Sequence, residues 1–151
     1  MTIDGNYLVD TLKRSIQINS IIPHEEEYAA FLADEIRKLG FEPAWDVVAP
    51  GRPNVSVMAE LGPSEDMLLL TGHTDTVDIA ENWQTDPFDP VVKDGRLYGL
   101  GALDMKSGVI CALAVFKALV EDRSRHGKLG RIAFAATVDE EGYGLGAKAL
   151  L

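Results

Sequence analysis

The stretch Met67-Leu68-Leu69-Leu70-Thr71-Gly72-His73-Thr74-Asp75-Thr76 indicates the fold of this 151-residue chain more clearly than any other. Residues 67–71 form an apolar run, which is typical of a strand buried on both faces of a sheet. The run ends at a glycine, and a histidine and an aspartate follow within three residues. Because α/β sheets carry their site residues where strands end, the stretch predicts such a sheet with a functional site at one edge.

The rest of the chain supplies helices and further strands. Apolar residues that recur every three or four positions predict the helices, and short apolar runs predict the strands. The predicted helices cover 6–19, 24–39 and 106–123, the other strands cover 41–48, 54–61 and 131–138, and a last helix begins at Ala147. Residues 72–98 lack periodicity and predict a long functional loop. This order predicts an α/β fold with a mixed, mostly parallel sheet flanked by helices.

Composition narrows the class of protein. Apolar residues make up 46% of the chain, which fits one globular domain, and no apolar run is long enough to span a bilayer. The N-terminus shows no export signal and Cys111 is the single cysteine, so the sequence predicts a cytoplasmic protein. The net charge of −10 argues against nucleic acid and anionic membranes as partners. We expect Cys111 in the core and the acids 25–27 on the surface.

Two segments after the apolar strand carry candidate metal ligands. Side chains two residues apart in an extended segment share a side, so Asp75 can orient the ring of His73 while His73 binds a metal ion. The alternative is a loop histidine that Asp75 caps by a hydrogen bond. Asp104 follows Gly99 and Gly101 and precedes a helix. It is therefore either a helix N-cap or a carboxylate that bridges two cations.

A third segment places Glu140 and Glu141 side by side after a predicted strand. Adjacent carboxylates repel each other unless a cation or a proton relieves them. One can bind a metal ion while the other takes a proton from water, and a solvated acidic turn is the alternative. The next residues, Gly142-Tyr143-Gly144-Leu145-Gly146-Ala147, also match the dinucleotide-binding pattern G-x-G-x-x-A. The preceding acids would repel a pyrophosphate, which disfavours that hypothesis.

Four groups of residues carry a resemblance to a known family. They are Gly72-His73-Thr74-Asp75-Thr76-Val77, then Trp83 with Asp86-Pro87-Phe88, then Asp94-Gly95-Arg96-Leu97-Tyr98-Gly99 running into Gly101-Ala102 and Asp104-Met105-Lys106-Ser107-Gly108, and last Asp139-Glu140-Glu141-Gly142. In order, spacing and flanking residues the chain resembles the M20 family of metallopeptidases and deacylases. That group includes acetylornithine deacetylase, succinyl-diaminopimelate desuccinylase, aminoacylase and glutamate carboxypeptidase.

The resemblance implies a zinc-exopeptidase-like catalytic domain with two zinc ions, for which cobalt or manganese can substitute. His73 would bind one metal ion, Glu141 the other, and Asp104 would bridge both, with a cis peptide bond after it. Asp75 would orient His73. Glu140 would be the general base that deprotonates the attacking water and later protonates the departing amine. The implied substrate is an N-acyl amino acid or a small peptide, and no other cofactor is implied.

The chain departs from the family in length. Members run to more than twice this length, contain an inserted dimerisation domain, and supply two further metal ligands later in the sequence. We therefore expect residues 1–151 to be the N-terminal portion of a catalytic domain, without the inserted domain and the C-terminal catalytic segment. Such a chain would have little or no activity and could lack its metal, whereas a full-length version would form a homodimer. The alternative is a non-catalytic remnant that acts as a binding or assembly module.

Overall fold

A computed structural model describes residues 2–151 and, of residue 125, the backbone alone. The helices are α1 (Gly5–Ile16), α2 (Glu26–Lys38), α3 (Ser107–Glu121) and α4 (Leu145–Leu150), with a 3₁₀ turn at Arg123–Arg125. The strands are β1 (Ala44–Ala49), β2 (Arg52–Glu60), β3 (Met67–His73), β4 (Val91–Lys93), β5 (Arg96–Tyr98) and β6 (Arg131–Thr137). An irregular turn, Ala102–Lys106, leads into α3. No helix in the described part of the chain is long and apolar enough to cross a membrane.

Four strands form the main sheet in the order β1-β2-β6-β3. The β1–β2 and β2–β6 pairings are antiparallel, and the β3–β6 pairing is parallel. The expected mixed α/β sheet is confirmed, but it is less parallel than the sequence predicted. The reason is that a short turn joins β1 to β2, which allows only an antiparallel pair, whereas the long segment with α3 makes the crossover from β3 to β6.

The parallel pair brings two loops to one edge of the sheet. His73 is the register partner of Thr137, the last residue of β6. The ladder continues one step further, since the Thr74 N–H donates to the Thr137 carbonyl at 2.8 Å. Because parallel strands end at the same edge, the segments that follow β3 and β6 leave the sheet side by side.

One apolar core lies between the sheet and the helices. Helix α2 packs against β2, and α3 packs against β3 and β6. Alternate residues of β2 and β6 point into this core, as the pleat of a strand requires, and they meet the apolar faces of both helices. Its largest fully buried apolar side chains include Tyr28, Leu32, Ile36, Ile110, Leu113, Phe116, Ile132 and Phe134.

Strand β3 contradicts the expectation of burial on both faces. Met67, Leu68 and Leu69 are 55%, 53% and 41% exposed. Among the described residues only β6 pairs with β3, so β3 is an edge strand of this sheet. An apolar run shows that a strand can be buried, but it does not show which elements cover it.

Further predictions were wrong in detail. The segment 72–98, predicted as a loop, contains the hairpin β4–β5, whose turn residues Asp94 and Gly95 both have positive φ (53° and 72°). Strands of three residues are too short to show an alternating pattern, but an Asp-Gly pair is a hairpin signal. Helix α4 begins at Leu145, two residues before the predicted start. Cys111 is exposed rather than in the core.

Candidate metal site

The structure brings residues of all three segments together at the edge where β3 and β6 end. One nitrogen of His73 and one carboxylate oxygen from each of Asp104 and Glu141 lie within 4.8 Å of one another. His73 Nε2 lies 3.1 Å from Asp104 Oδ1 and 3.7 Å from an oxygen of Glu140. The site therefore gathers one imidazole and three carboxylates from segments that are far apart in the sequence.

The hydrogen bonds of His73 define which ring nitrogen faces the site. His73 is 4% exposed, and its Nδ1 lies 2.9 Å from the backbone carbonyl of Asp75. A carbonyl can only accept, so Nδ1 carries the proton that it donates. In the neutral ring, Nε2 is then left with a lone pair directed at carboxylate oxygens. Only a cation or a proton between these atoms makes that contact favourable.

Asp75 holds the acidic residues in place. Its side chain is buried, and its two oxygens accept hydrogen bonds from the backbone N–H groups of Glu140 (3.1 Å) and Glu141 (2.8 Å). The contact with the His73 ring comes from the Asp75 backbone carbonyl, while the carboxylate is 3.7 Å from Nδ1. Asp75 thus connects the end of β3 to the turn that follows β6.

Asp104 lies in the irregular turn before α3, with extended dihedral angles (φ −122°, ψ 107°). It does not cap the helix: the N-cap of α3 is Lys106, without a capping side-chain bond, so the N-cap alternative is wrong. The Asp104–Met105 peptide bond is cis, as the family resemblance implied. The Asp104 side chain is 73% exposed, which leaves its carboxylate free to face ions and solvent.

Lys106 anchors this turn, a role that the sequence did not reveal. The residue is 1% exposed, and its Nζ donates to the carbonyls of Ser15 (2.8 Å) and Ile18 (2.7 Å) at the end of α1. It also lies 4.8 Å from the centre of the Tyr28 ring. Burial lowers the pKa of Lys106 to about 7. A lysine in the first turn of a helix is normally a surface residue, so local pattern gave no signal for this role.

The acidic turn, residues 139–145, is crowded with negative charge. Burial raises the pKa of Glu141 above its ordinary value, and repulsion by Asp104, Glu140 and Asp75 raises it further, while His73 opposes the rise. A bound cation would remove this repulsion. The donor set of one imidazole nitrogen and two carboxylates is one that zinc accepts in catalytic sites, so the residues present fit that metal.

The glycines after the acids do not form a dinucleotide site. Backbone N–H groups at the start of such a helix must be free to bind phosphate. Here the buried carboxylate of Asp139 accepts from the N–H groups of Tyr143 (2.9 Å) and Leu145 (3.2 Å). The site of the phosphate is therefore occupied by a carboxylate of the chain itself.

A mixed α/β sheet thus gathers a histidine and two carboxylates that could hold a metal ion where its strands end. The comparisons with known proteins agree. The sequence model of Peptidase family M20/M25/M40 matches residues 69–151. The chain belongs to this family of metallopeptidases, which confirms the resemblance.

Two relatives show how far the similarity extends. The chain is 41% identical over 131 residues to the succinyl-diaminopimelate desuccinylase of a strain of Methylorubrum extorquens, covering 84% of this chain and 34% of that protein. It is 35% identical over 141 residues to the enzyme of the same name from Acinetobacter baylyi, covering 88% and 35%. The chain thus spans about one third of the length of the curated relatives it matches.

Solved structures show the same fold. A tripeptidase from Staphylococcus aureus matches with a TM-score of 0.78 at 29% identity, over 99% of this chain and 40% of that one. Human carnosine dipeptidase 1 matches with a TM-score of 0.74 at 26% identity, over 96% of this chain and 34% of the other. The sheet and helices described here are therefore those of M20 peptidase domains.

Proposed function

We propose that this chain carries metal-binding and proton-transferring residues of a hydrolase that cleaves the amide bond of an N-acyl amino acid or a small peptide. The proposal rests on the convergence of His73, Asp104 and Glu141, whose ligand atoms lie within 4.8 Å of one another beside a third acidic side chain, that of Glu140. Membership in a family of amidohydrolases supports the reaction type.

His73, Asp104 and Glu141 would hold zinc, with cobalt or manganese as substitutes. Asp104, whose carboxylate is 73% exposed and has two oxygens, would be the ligand that two ions share, while His73 and Glu141 would each bind one of them. The chemistry that bound zinc supplies is polarisation of the amide carbonyl and of the attacking water. The chain contributes a rigid frame for the ligands: His73 ends a strand, and Asp75 ties the acidic turn to the segment that follows it.

Glu140 is the proposed general base. Its carboxylate is 59% exposed, and one oxygen lies 3.7 Å from His73 Nε2, beside the metal ligands but open to solvent. The hydrogen bond from its N–H to Asp75 fixes its backbone. In this position Glu140 can accept a proton from the attacking water and pass it to the departing amine nitrogen.

The substrate class rests on the similar proteins. Relatives named succinyl-diaminopimelate desuccinylase support an N-acyl amino acid, and structures of a tripeptidase and of a dipeptidase support a short peptide. Because the chain spans about one third of the relatives, the activity, the substrate and the oligomeric state of the whole protein are all proposals. We also propose a cytoplasmic location and a dimer for a full-length version.

A chimera tests the proposed reaction. Residues 1–151 would replace the matching segment of the Methylorubrum extorquens desuccinylase, which is 41% identical, and the hydrolysis of succinyl-diaminopimelate would be measured. We expect zinc-dependent activity that Glu140→Gln lowers by about a hundredfold or more, since a general base contributes at least that factor. The control is Glu42→Gln, at a glutamate that is 81% exposed.

Two results would contradict the proposal. One is an active chimera that keeps its rate with Glu140→Gln, because the proton would then be carried by another group. The other is a folded 151-residue chain that does not bind zinc, which would instead favour the non-catalytic binding or assembly module.

A further inference from the structure

A buried charge network lies behind the acidic turn, on the side formed by the sheet. Arg52, the first residue of β2, lies between two carboxylates: its guanidinium is 2.5 Å from Glu25 and 2.8 Å from Asp139. The side chains of Arg52, Glu25 and Asp139 are 12%, 0% and 2% exposed. Glu25 is therefore not the surface acid that the sequence predicted. Removing three charges from water costs free energy, which their mutual attraction and their hydrogen bonds must offset.

Asp139 directs its hydrogen bonds into the acidic turn. It adopts the left-handed conformation (φ 68°), and one carboxylate oxygen accepts from the N–H groups of Tyr143 and Leu145. The other oxygen binds Arg52 at 2.8 Å. Asp139 thus closes the turn from inside, and Arg52 holds Asp139 in the position that closes it.

A second residue of β2 holds the two ends of the same segment. Asn54 accepts a hydrogen bond from the Val138 N–H (3.1 Å) and donates to the Gly146 carbonyl (2.9 Å). Arg52 and Asn54 are two positions apart on one strand, so both face the turn. The acidic turn is consequently held from the sheet side by β2 and from the site side by Asp75.

We propose that Arg52 is a positioning residue for the metal site: through Asp139 it fixes the acidic turn so that Glu141 reaches His73 and Asp104. This inference rests on the proposed function, because it assigns Arg52 a part in metal binding. Arg52 touches none of the proposed ligands. Its effect passes through the backbone of the residues that follow Asp139.

The direction in which replacing Arg52 changes the zinc affinity shows whether Arg52 acts by positioning the turn or only through its charge. A guanidinium near a cation site repels the cation, so if Arg52 acted only through its charge, its removal would strengthen metal binding. Positioning predicts the opposite, because a loosened turn must be ordered again when the metal binds. Partners that orient metal ligands typically change metal affinity by about 10- to 100-fold.

The first measurement is a calorimetric zinc titration of the 151-residue chain and its variants. We expect Arg52→Gln to weaken zinc binding by about tenfold or more, and Arg52→Lys, which keeps a charged donor, to recover part of the loss. The control is Arg14→Gln, since Arg14 also pairs with a buried carboxylate (Glu35, 2.9 Å) but has no link to the acidic turn. Unchanged or stronger zinc binding by folded Arg52→Gln would overturn the inference.

The second measurement is hydrogen exchange without metal, which keeps this inference separate from the proposed function. Arg52→Gln should lose about tenfold or more of the exchange protection at the Tyr143 and Leu145 amides, as expected when a buried hydrogen bond loses its support. Arg14→Gln should leave both amides protected. In an Asp139→Asn background, Arg52→Gln should cause no further loss.

The zinc titration and the hydrogen-exchange measurement test different claims. If the parent chain binds no zinc, the proposed metal site fails, while the exchange measurement still decides whether Arg52 fixes the turn. If Arg52→Gln does not fold, Arg52→Lys and Asp139→Asn replace it in the exchange measurement. Unchanged protection of Tyr143 and Leu145 in these variants would overturn the inference.

Discussion

Replacing Asp75 by asparagine tests the connection between the two loops of the site. Asp75 is 1% exposed, and each of its oxygens accepts one backbone N–H, from Glu140 at 3.1 Å and from Glu141 at 2.8 Å. Asparagine can accept only one of these bonds, because its amide nitrogen is a donor. Asp75→Asn therefore removes one hydrogen bond to a charged acceptor and leaves two donors facing each other.

Two opposing effects determine how much Asp75→Asn changes the free energy of unfolding. Losing a hydrogen bond to a charged group costs about 1.5–3 kcal/mol, and an unpaired donor costs about 1–3 kcal/mol more where it stays buried. Removing a carboxylate also relieves repulsion at the site, but Asp75 is the smallest of the three acidic contributions to the raised pKa of Glu141. The lost hydrogen bond therefore outweighs the relieved repulsion, and we expect the free energy of unfolding to fall by about 3 kcal/mol, which lowers the Tm by roughly 10 °C.

Urea unfolding followed by circular dichroism measures this change. The matched control is Asp86→Asn, because the exposed Asp86 accepts a hydrogen bond from the Phe88 N–H (2.9 Å) that asparagine can keep. We expect the control to change stability by less than about 0.5 kcal/mol. If Asp75→Asn were as stable as the parent or more stable, repulsion would outweigh the hydrogen bonds, and the proposed role of Asp75 would be refuted.

Three further predictions test other parts of the structure. Gly146→Ala should lower the free energy of unfolding by about 1–3 kcal/mol, because a Cβ there would lie 2.5 Å from Asn54 Oδ1 and from the Val138 backbone. Gly5→Ala, with open space around it, should not lower this free energy, and equal unfolding midpoints of the two variants would contradict the prediction. Burial lowers the pKa of Lys106 to about 7 in the folded chain, so between pH 7 and about 10 the unfolded chain holds more protons. The free energy of unfolding therefore rises with pH over this range, by at most about 1.4 kcal/mol per pH unit. Lys106→Met should lack this rise in urea unfolding, and a pH profile equal to that of the parent chain would refute the prediction. Leu68→Glu on the exposed edge strand should reduce concentration-dependent light scattering, whereas Leu103→Glu, at a residue that is 90% exposed in the turn before α3, serves as the control.

Local pattern was sufficient for the elements with strong periodicity. Helix α3 lies within the predicted 106–123, and β6 lies within the predicted 131–138. The same local reasoning pointed to His73, Asp104 and the Glu140–Glu141 pair, but each had a structural alternative, and the family resemblance assigned their roles. The parallel pairing of β3 with β6 then explains why two of these segments meet.

Long-range partners lay beyond the reach of local pattern. Glu25 is an ordinary first-turn acid in sequence, and only its contact with Arg52 explains its complete burial. Lys106 is buried because the end of α1 offers it carbonyl oxygens. Cys111 is exposed on a mostly apolar helix, since composition does not say which side of a helix the sheet will cover. Each of these misses depends on how distant segments pack.

A calorimetric zinc titration of the metal-free chain, beside His73→Ala, tests whether the residues that meet at the edge of the sheet bind a metal ion. We expect saturable zinc binding that His73→Ala weakens by about a hundredfold or more, because the imidazole is the nitrogen ligand among the residues that meet at the site. Circular dichroism would verify that both proteins are folded. Absence of zinc binding by the folded parent chain, or equal affinity in His73→Ala, would show that His73 is not a ligand of a zinc site in this chain.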